Sequence, residues 1–221
     1  MKFKQAVNYH QSVRYFTNRQ IDAATLRDLI RTAARTPSWA NSQPWKVYVA
    51  TGDSLKKIKA HHLAAAQQGV KGNSDLPVAH RTQWNQQAQE NMADWSTALQ
   101  QYLGTDIQQM TDSQTRLYDA AALVYLTLPK GATKWSIYDL GAFSQTLMLA
   151  AADQRIDSMP AYEIVRYPDA VREIMGILAN TQLVMGIALG YRDPAKRIND
   201  FRSARAPENS ILTINESTTI D

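Results

Sequence analysis

Two nearly continuous apolar runs, at residues 120–128 and 181–189, constrain the fold of this chain most strongly. Runs of this length, rich in leucine, valine and isoleucine, are typical of strands buried at the centre of a sheet. A third segment, 45–51, alternates its side chains as a half-buried strand does. Both apolar runs are far shorter than the roughly 20 residues that a membrane helix needs. The sequence therefore predicts buried strands and no transmembrane span.

Helical periodicity fills most of the remaining sequence. Predicted helices cover residues 3–11, 22–36, 55–67, 84–102, 136–153 and 168–178. Asp22 and Ser136 are the predicted N-caps of two of them, and Pro168 takes a favoured first helical position. Gly141 lies inside a predicted helix, where glycine costs about 1 kcal/mol relative to alanine. Close packing against another element is the expected reason for that glycine.

The order of these elements indicates an α+β fold. Strands and helices lack the regular alternation, and the G-x-G-x-x-G turn, of a Rossmann unit. The 221 residues show no repeat and no clear linker, so we expect a single domain over residues 1–221. Residues 209–214 again have strand character. The amphipathic helix at 84–102 fits either a lid over a substrate site or a stripe packed on the core or on a second subunit.

Cysteine and histidine usage excludes several chemistries. The chain has no cysteine, so disulfides, iron–sulfur clusters and thiolate nucleophiles are ruled out. Redox chemistry would therefore have to come from a bound cofactor. Among the four histidines, His61 and His62 are adjacent and point to different helix faces, and no metal-binding spacing occurs. We expect no metal.

The charge balance leaves two interpretations open. A net charge of +4 and a pI near 9.2 fit a nucleic-acid surface, but they also fit an enzyme that binds anionic cofactors. The basic residues are scattered and no nucleic-acid-binding motif accompanies them, which favours the enzyme. The first residues carry no apolar segment of a secretory signal, so the cytoplasm is the expected location.

A dense polar block at residues 33–45 lies between a predicted helix and a predicted strand. Asn41 and Gln43 each offer donors and an acceptor that can read the edge of a flat heterocycle. Pro37 and Pro44 fix the backbone around them. The alternative is an ordinary polar loop that follows a helix.

Two further clusters place a hydroxyl beside an arginine. Ser12 and Arg14 form one near the start of the chain, and Ser203 and Arg205 form the other near its end. The planar guanidinium suits phosphate oxygens, and a serine hydroxyl can donate to the same group. Taken one at a time, both arginines could equally be surface cations.

Together the three clusters resemble the FMN-dependent nitroreductase family. Its pattern is Arg-x-Ser-x-Arg-x-Phe, then Ala-x-x-Ala-Pro-Ser-x-x-Asn-x-Gln-Pro-Trp, then a terminal Arg-x-Pro. The matching segments here are 12–16, 37–45 and 205–207. The chain departs from the pattern at His10 and Gln11, where the family usually carries arginine. It also lacks the glycines that precede the family's later proline, here Pro160.

This resemblance implies a nitroreductase-like fold, with a central mixed or antiparallel sheet flanked by helices, in an intertwined homodimer that binds one FMN at each interface. In family members the tail crosses onto the partner's sheet, and the helix matching 136–153 lies deep in the dimer. The implied cofactor-binding residues are His10, Gln11, Ser12, Arg14, Pro37, Ser38, Asn41, Gln43, Pro160, Tyr162, Glu163 and Arg205. The arginines would hold the phosphate, and the backbone near Tyr162 and Glu163 would approach the flavin N5.

The implied chemistry is a ping-pong transfer of hydride from NAD(P)H through flavin to a nitroaromatic or quinone-like acceptor. No side chain need act as acid or nucleophile, so we name no catalytic side chain. Two alternatives stay open: a flavin-binding relative with another role, such as a sensor or a dehalogenase-like protein, and a small basic nucleic-acid-binding protein.

Overall fold

The computed structural model describes residues 1–215. Its helices are α1 (Phe3–Tyr9), α2 (Ala23–Ala33), α3 (Gly52–Gln67), α4 (Gln86–Leu103), α5 (Gln108–Thr115), α6 (Lys134–Asp153) and α7 (Pro168–Met175). Its strands are β1 (Lys46–Ala50), β2 (Ala122–Pro129), β3 (Asp157–Ala161) and β4 (Thr181–Gly190). None of the helices in this part of the chain is both long and apolar enough to cross a membrane.

The described residues form two compact units. The larger comprises Met1–Val78 and Gln108–Asp200, and the smaller comprises Ala79–Ile107 with the described residues after 200. The single domain expected over the whole chain stays a prediction.

The larger unit contains a four-stranded antiparallel sheet in the order β1-β2-β4-β3. The two apolar runs of the sequence are its central strands, as predicted, and almost every residue of β2 is buried. Helices cover both faces: Leu123 and Tyr125 belong to a core shared with α3 and α7, whereas Val124 and Leu126 belong to one shared with α2 and α6. This arrangement confirms the α+β class.

Strand β3 was not predicted from the sequence. It pairs with β4 in the register Met159 to Ala188, at the edge of the sheet. Proline is tolerated at an edge because no further strand needs its missing N–H, which explains Pro160 within a strand. At Gly186 of β4, a Cβ atom would collide with the side chain of Ile164. The glycine therefore lets the turn that follows β3 pack directly on the sheet.

The helix boundaries follow local capping signals, with some corrections. Asp22 caps α2 by accepting a 2.8 Å hydrogen bond from the Thr25 N–H, as predicted. The predicted N-cap Ser136 is wrong: Thr133 caps α6, which begins earlier. Helix α7 ends before residue 178 because Gly176 adopts a left-handed φ of 64°. Helix α1 ends at Tyr9 rather than at residue 11.

Two further predictions find no support within the described chain, and one helix was not predicted. No atom lies within 4 Å of a Cβ placed at Gly141, so that glycine does not accommodate a neighbour within the described chain. Residues 209–214 form no strand; a 3-10 turn at Glu208–Ser210 begins that segment instead. Helix α5 was missed because its glutamine-rich sequence carries few apolar residues.

The smaller unit is built around α4, the amphipathic helix that the sequence predicted. Asn85 caps it by accepting a 2.9 Å bond from the Ala88 N–H. Leu99 and Leu103 are its buried residues. Near its end, the Tyr102 and Phe201 rings lie 5.5 Å apart between centroids.

Candidate functional site

The segment that follows α1 is held tightly inside the larger unit. Ser12 forms a parallel bridge with Ser158 of β3, and the Val13 N–H donates to the Ser158 carbonyl at 3.0 Å. The N–H groups of Arg14 and Tyr15 both donate to Oδ1 of Asn199, at 2.9 and 3.1 Å. Asn199 is almost fully buried. These contacts fix the backbone of the first predicted cluster.

Arg14 is a buried cation without a carboxylate partner among the described residues. Only 7% of the residue is exposed. Its Nη1 donates to the Ser12 carbonyl at 3.3 Å, and its Nε has no hydrogen-bond partner in this part of the chain. Burial lowers the pKa of its guanidinium, and interaction with Tyr118 partly opposes that shift. A buried unpaired charge is costly, so this position suits an anion.

Other unsatisfied polar atoms accompany Arg14 in this segment. Gln11 Nε2 donates to the Asn199 carbonyl at 2.6 Å, while Gln11 Oε1 is buried with no partner among residues 1–215. Ser158 Oγ is likewise buried with no hydrogen-bond partner among these residues. His10 is half-buried, and its N–H donates to the Ala6 carbonyl at the end of α1. Buried polar atoms are normally satisfied, so a group of them indicates a ligand site.

The polar block between α2 and β1 forms an ordered, largely exposed loop. Ser38 Oγ accepts a 2.9 Å bond from the Gln43 N–H, and Gln43 Nε2 donates to Asn41 Oδ1 at 2.8 Å. Ala40, Asn41 and Gln43 all have positive φ, at 46°, 58° and 41°. Such angles are unusual for residues with a side chain, and they cluster at functional sites. The hydrogen bond between the Asn41 and Gln43 carboxamides joins them into one polar edge of the loop.

Glu163 lies in a 3-10 turn, Tyr162–Val165, directly after β3. Its Oε1 is 2.8 Å from Arg166 Nη1 and 3.4 Å from Nε2 of the buried His62. Burial by itself raises the pKa of Glu163, but its interactions with the neighbouring His62 and Arg166 outweigh that effect and lower the pKa. The carboxylate is thus engaged within the protein, which leaves the backbone of the turn as the candidate ligand contact.

Residues 70–73 pack on this turn, a feature that the sequence did not indicate. The Val70 carbonyl accepts a 3.0 Å bond from the Tyr167 hydroxyl, and the Asn73 N–H donates to the Arg166 carbonyl at 3.0 Å. A Cβ atom at Gly72 would lie 2.7 Å from the Tyr162 hydroxyl oxygen. Glycine at residue 72 therefore sets how close this segment comes to Tyr162.

Arg205 lies in the smaller unit and is exposed. Its Nη1 donates to Ser203 Oγ at 2.8 Å and to the Ser203 carbonyl at 3.1 Å. The hydroxyl and the guanidinium of the third predicted cluster thus contact each other, as an anion-binding pair can.

The structure unites two of the predicted groups through one strand. Ser158 near the start of β3 bridges to Ser12, and Pro160 near its end leads into the turn that carries Tyr162 and Glu163. The loop with Pro37, Ser38, Asn41 and Gln43 is anchored instead to α6, where Asp139 accepts from a loop N–H. Sequence reasoning missed Asn199, Asp139 and His62 as supporting residues. Among residues 1–215 no cluster of side chains is suited to a metal ion.

Comparison with known proteins places this chain in a family. Residues 7–191 match the profile of the Nitroreductase family. Nitroreductase NfnB of Mycolicibacterium smegmatis is 30% identical over 92% of this chain and 88% of its own. The 4-nitrobenzoate reductase of Nocardioides sp. is 26% identical over 96% of this chain and 89% of its own. The chain belongs to the Nitroreductase family, as the three sequence clusters predicted.

A solved structure supports the same assignment. The crystal structure of the FMN-dependent nitroreductase NfnB from Mycobacterium smegmatis, in complex with NADPH, matches with a TM-score of 0.88 and 28% identity. The match covers 96% of this chain and 97% of that one. The predicted nitroreductase-like fold is therefore confirmed.

Proposed function

We propose that this chain is an FMN-dependent oxidoreductase that transfers hydride from NAD(P)H, through flavin, to nitroaromatic or quinone-like acceptors. The observation that carries the proposal is Arg14, a buried arginine with no carboxylate partner in the described chain, beside unsatisfied Gln11 and Ser158 atoms. A phosphate monoester supplies the dianion and the acceptor oxygens that the Arg14 guanidinium and the Ser158 hydroxyl lack, whereas Gln11 Oε1 needs a donor such as a ribityl hydroxyl. Family membership and the relatives named above support FMN as the molecule that carries it.

Each predicted site residue has a role in this proposal. Arg14 and Ser12 hold the phosphate, and the family pattern assigns Arg205 to phosphate binding as well. His10 and Gln11 lie along the ribityl chain and the ring edge, and the backbone at Pro160, Tyr162 and Glu163 faces the ring near N5. From a second subunit come the loop residues Pro37, Ser38, Asn41 and Gln43.

The protein's contribution to catalysis is to bind and position. FMN, when bound, would supply the hydride chemistry, with NAD(P)H as the hydride donor and the nitroaromatic or quinone-like compound as the acceptor. The chain's residues fix the ring, exclude water from its face and offer donors that favour the reduced, anionic flavin. The NADPH complex of the mycobacterial relative supports NADPH as a co-substrate. The hydride donor NAD(P)H is a cytoplasmic metabolite, so we propose that the protein acts in the cytoplasm.

A homodimer is part of the proposal because α6 and the loop that packs on it present an exposed aromatic surface. Trp39, Trp135 and Tyr138 are 62%, 60% and 73% exposed. Exposed aromatic patches of this kind mark protein interfaces. The open space at Gly141 lets a second backbone approach α6 closely, which gives that helix glycine a purpose. Ile211 and Ile214, in the smaller unit, are exposed apolar residues as well.

The test is a set of absorbance spectra of the purified protein reconstituted with FMN. Without oxygen, NADPH should bleach the flavin bands, and a nitrobenzoate or a quinone should restore them. Flavin that binds but is never reduced would instead assign the chain to the sensor-like alternative. A protein that does not retain FMN would refute the proposal, and salt-dependent nucleic-acid binding would then become the class to test.

A further inference from the structure

Helix α6 holds the loop at residues 36–43 through three side chains on one face. Trp135, Asp139 and Thr146 are separated by four and seven residues, so they lie in one line along the helix. Each contacts the segment between α2 and β1. We refer to these three residues as the α6 clamp.

The central contact of the α6 clamp is an ionic hydrogen bond to the loop backbone. Asp139 Oδ2 accepts from the Trp39 N–H at 2.9 Å. Asp139 is only 7% exposed, although its helix neighbour Tyr138 is exposed. No basic side chain pairs with this carboxylate in the described chain. Burying a carboxylate costs free energy unless hydrogen bonds compensate for it. The bond to the loop N–H is the compensating contact here.

The other two contacts hold the same segment on either side of that bond. The Trp135 ring packs against the Trp39 ring, with centroids 5.2 Å apart. The Thr36 hydroxyl donates to Thr146 Oγ1 at 3.0 Å. Helix α6 therefore contacts both the backbone and the side chain of residue 39, and it also binds the side chain of residue 36 at the start of the loop.

The loop needs such support because its own backbone is strained. Ala40, Asn41 and Gln43 hold left-handed φ angles although none of them is glycine. Residues with a side chain keep these angles only where surrounding contacts enforce them. Within the loop, Ser38 Oγ and Asn41 Oδ1 accept bonds from Gln43, so these two bonds tie the loop only to itself. The contacts with α6 provide that external anchor.

We propose that Asp139 is a positioning residue that pre-organises the 36–43 loop for flavin binding without itself touching the cofactor. The inference rests on the proposed function, because it assigns the loop to FMN. When a loop holds its binding conformation for a smaller fraction of the time, the apparent dissociation constant rises by the inverse of that fraction. Loss of the Asp139 bond should therefore weaken FMN binding from a distance.

The experiment compares Asp139→Ala with Asp139→Asn in the full chain. Alanine removes the acceptor, whereas asparagine keeps an acceptor oxygen without the charge. A matched control is Asp53→Ala, which removes an exposed carboxylate paired with Lys56 on α3. FMN affinity is measured by quenching of flavin fluorescence, and hydrogen exchange of a peptide covering 36–45 is measured by mass spectrometry on the protein without FMN.

We expect Asp139→Ala to weaken FMN binding on the order of tenfold or more, the effect of losing one charge-assisted hydrogen bond. Exchange in 36–45 should become faster in the same variant, and Asp139→Asn should recover most of both properties. If Asp139→Ala does not fold, Thr146→Val tests the next contact of the α6 clamp, with the same two effects expected in smaller measure.

Two results would overturn the inference, and they differ from each other. Wild-type protein that binds FMN together with an Asp139→Ala variant of equal affinity would refute the positioning role and leave the proposed function standing. Wild-type protein that does not bind FMN would refute the proposed function and, with it, the role of Asp139 in flavin binding. The exchange data on the FMN-free protein would then report only on the loop.

Discussion

Replacing Arg14 by methionine should weaken FMN binding while leaving the stability of the FMN-free protein nearly unchanged or higher. Arg14 is 7% exposed and has no carboxylate partner among the described residues. Among residues 1–215 its guanidinium makes one hydrogen bond, from Nη1 to the Ser12 carbonyl, and this bond is long at 3.3 Å. Methionine fills a similar volume without a charge, so the substitution should weaken FMN binding without destabilising the FMN-free protein.

The expected magnitudes follow from these contacts. A hydrogen bond between a guanidinium and a charged group contributes about 1.5–3 kcal/mol, so losing it should raise the dissociation constant of FMN roughly ten- to 150-fold. In the FMN-free protein, the variant loses one weak bond of about 1 kcal/mol or less and gains from removing a desolvated charge. We therefore expect its free energy of unfolding to stay within about 1 kcal/mol of wild type or to rise.

The assay pairs urea unfolding of the FMN-free proteins with titrations of FMN and of riboflavin, which lacks the phosphate. FMN affinity should fall in Arg14→Met, while riboflavin affinity should not change. Arg31→Met on the exposed face of α2 is the control, because that arginine pairs only with Asp28 on the surface. A loss of more than about 2 kcal/mol in the FMN-free variant would show that Arg14 is structural. An equal fall for both flavins would refute the phosphate assignment.

Three further predictions concern residues that support the site. Asn199→Ala removes the acceptor shared by two buried backbone N–H groups and should lower the free energy of unfolding by about 2–4 kcal/mol in urea; a loss below about 1 kcal/mol would count against it. Gly72→Ala places a Cβ atom 2.7 Å from the Tyr162 hydroxyl oxygen, so it should raise KM for the nitro acceptor, and unchanged kinetics would contradict the packing. The pKa of Glu163 is lowered on folding, so its carboxylate stabilises the protein above the unfolded value of about 4.3 and ceases to do so as the pH falls through the folded pKa. Glu163→Gln should therefore be less stable than wild type at pH 7, with the gap closing in acid; a gap that is constant from pH 7 to pH 3 would refute this.

The parts of the fold that the sequence predicted are those in which local signals agree. Helix α2 begins at a capping Asp22 and carries regular apolar spacing, and the central strands are long apolar runs. Strand β3 was missed because its five residues include Asp157 and Pro160, which are rare in strands. Its conformation depends on pairing with β4, about thirty residues away in sequence. No local pattern carries that information.

The sequence indicated candidate site residues but not the residues that hold them in place. Arg14, Asn41 and Gln43 were predicted as site residues because their residue types and spacing indicate anion and heterocycle binding. Asn199 and Asp139 were not, because each acts on a backbone N–H far away in sequence: Asn199 on residue 14 and Asp139 on residue 39. A single asparagine or aspartate has no local signature for such a role. Only the fold brings donor and acceptor together.

Strand β3 explains why the proposed phosphate and ring contacts can be arranged with a fixed separation. Ser158 bridges to the Ser12 segment, and the turn at Tyr162 starts four residues later, which corresponds to roughly 13 Å along a strand. The strand is fixed at its beginning by the Asp157–Arg192 ion pair and along its length by pairing with β4. Strand β3 therefore holds the proposed phosphate-binding residues and the proposed ring-binding turn at a fixed distance from each other. Substitutions at the Ser12 end should therefore affect retention of the cofactor, and those at the Tyr162 end should affect its reaction with the acceptor.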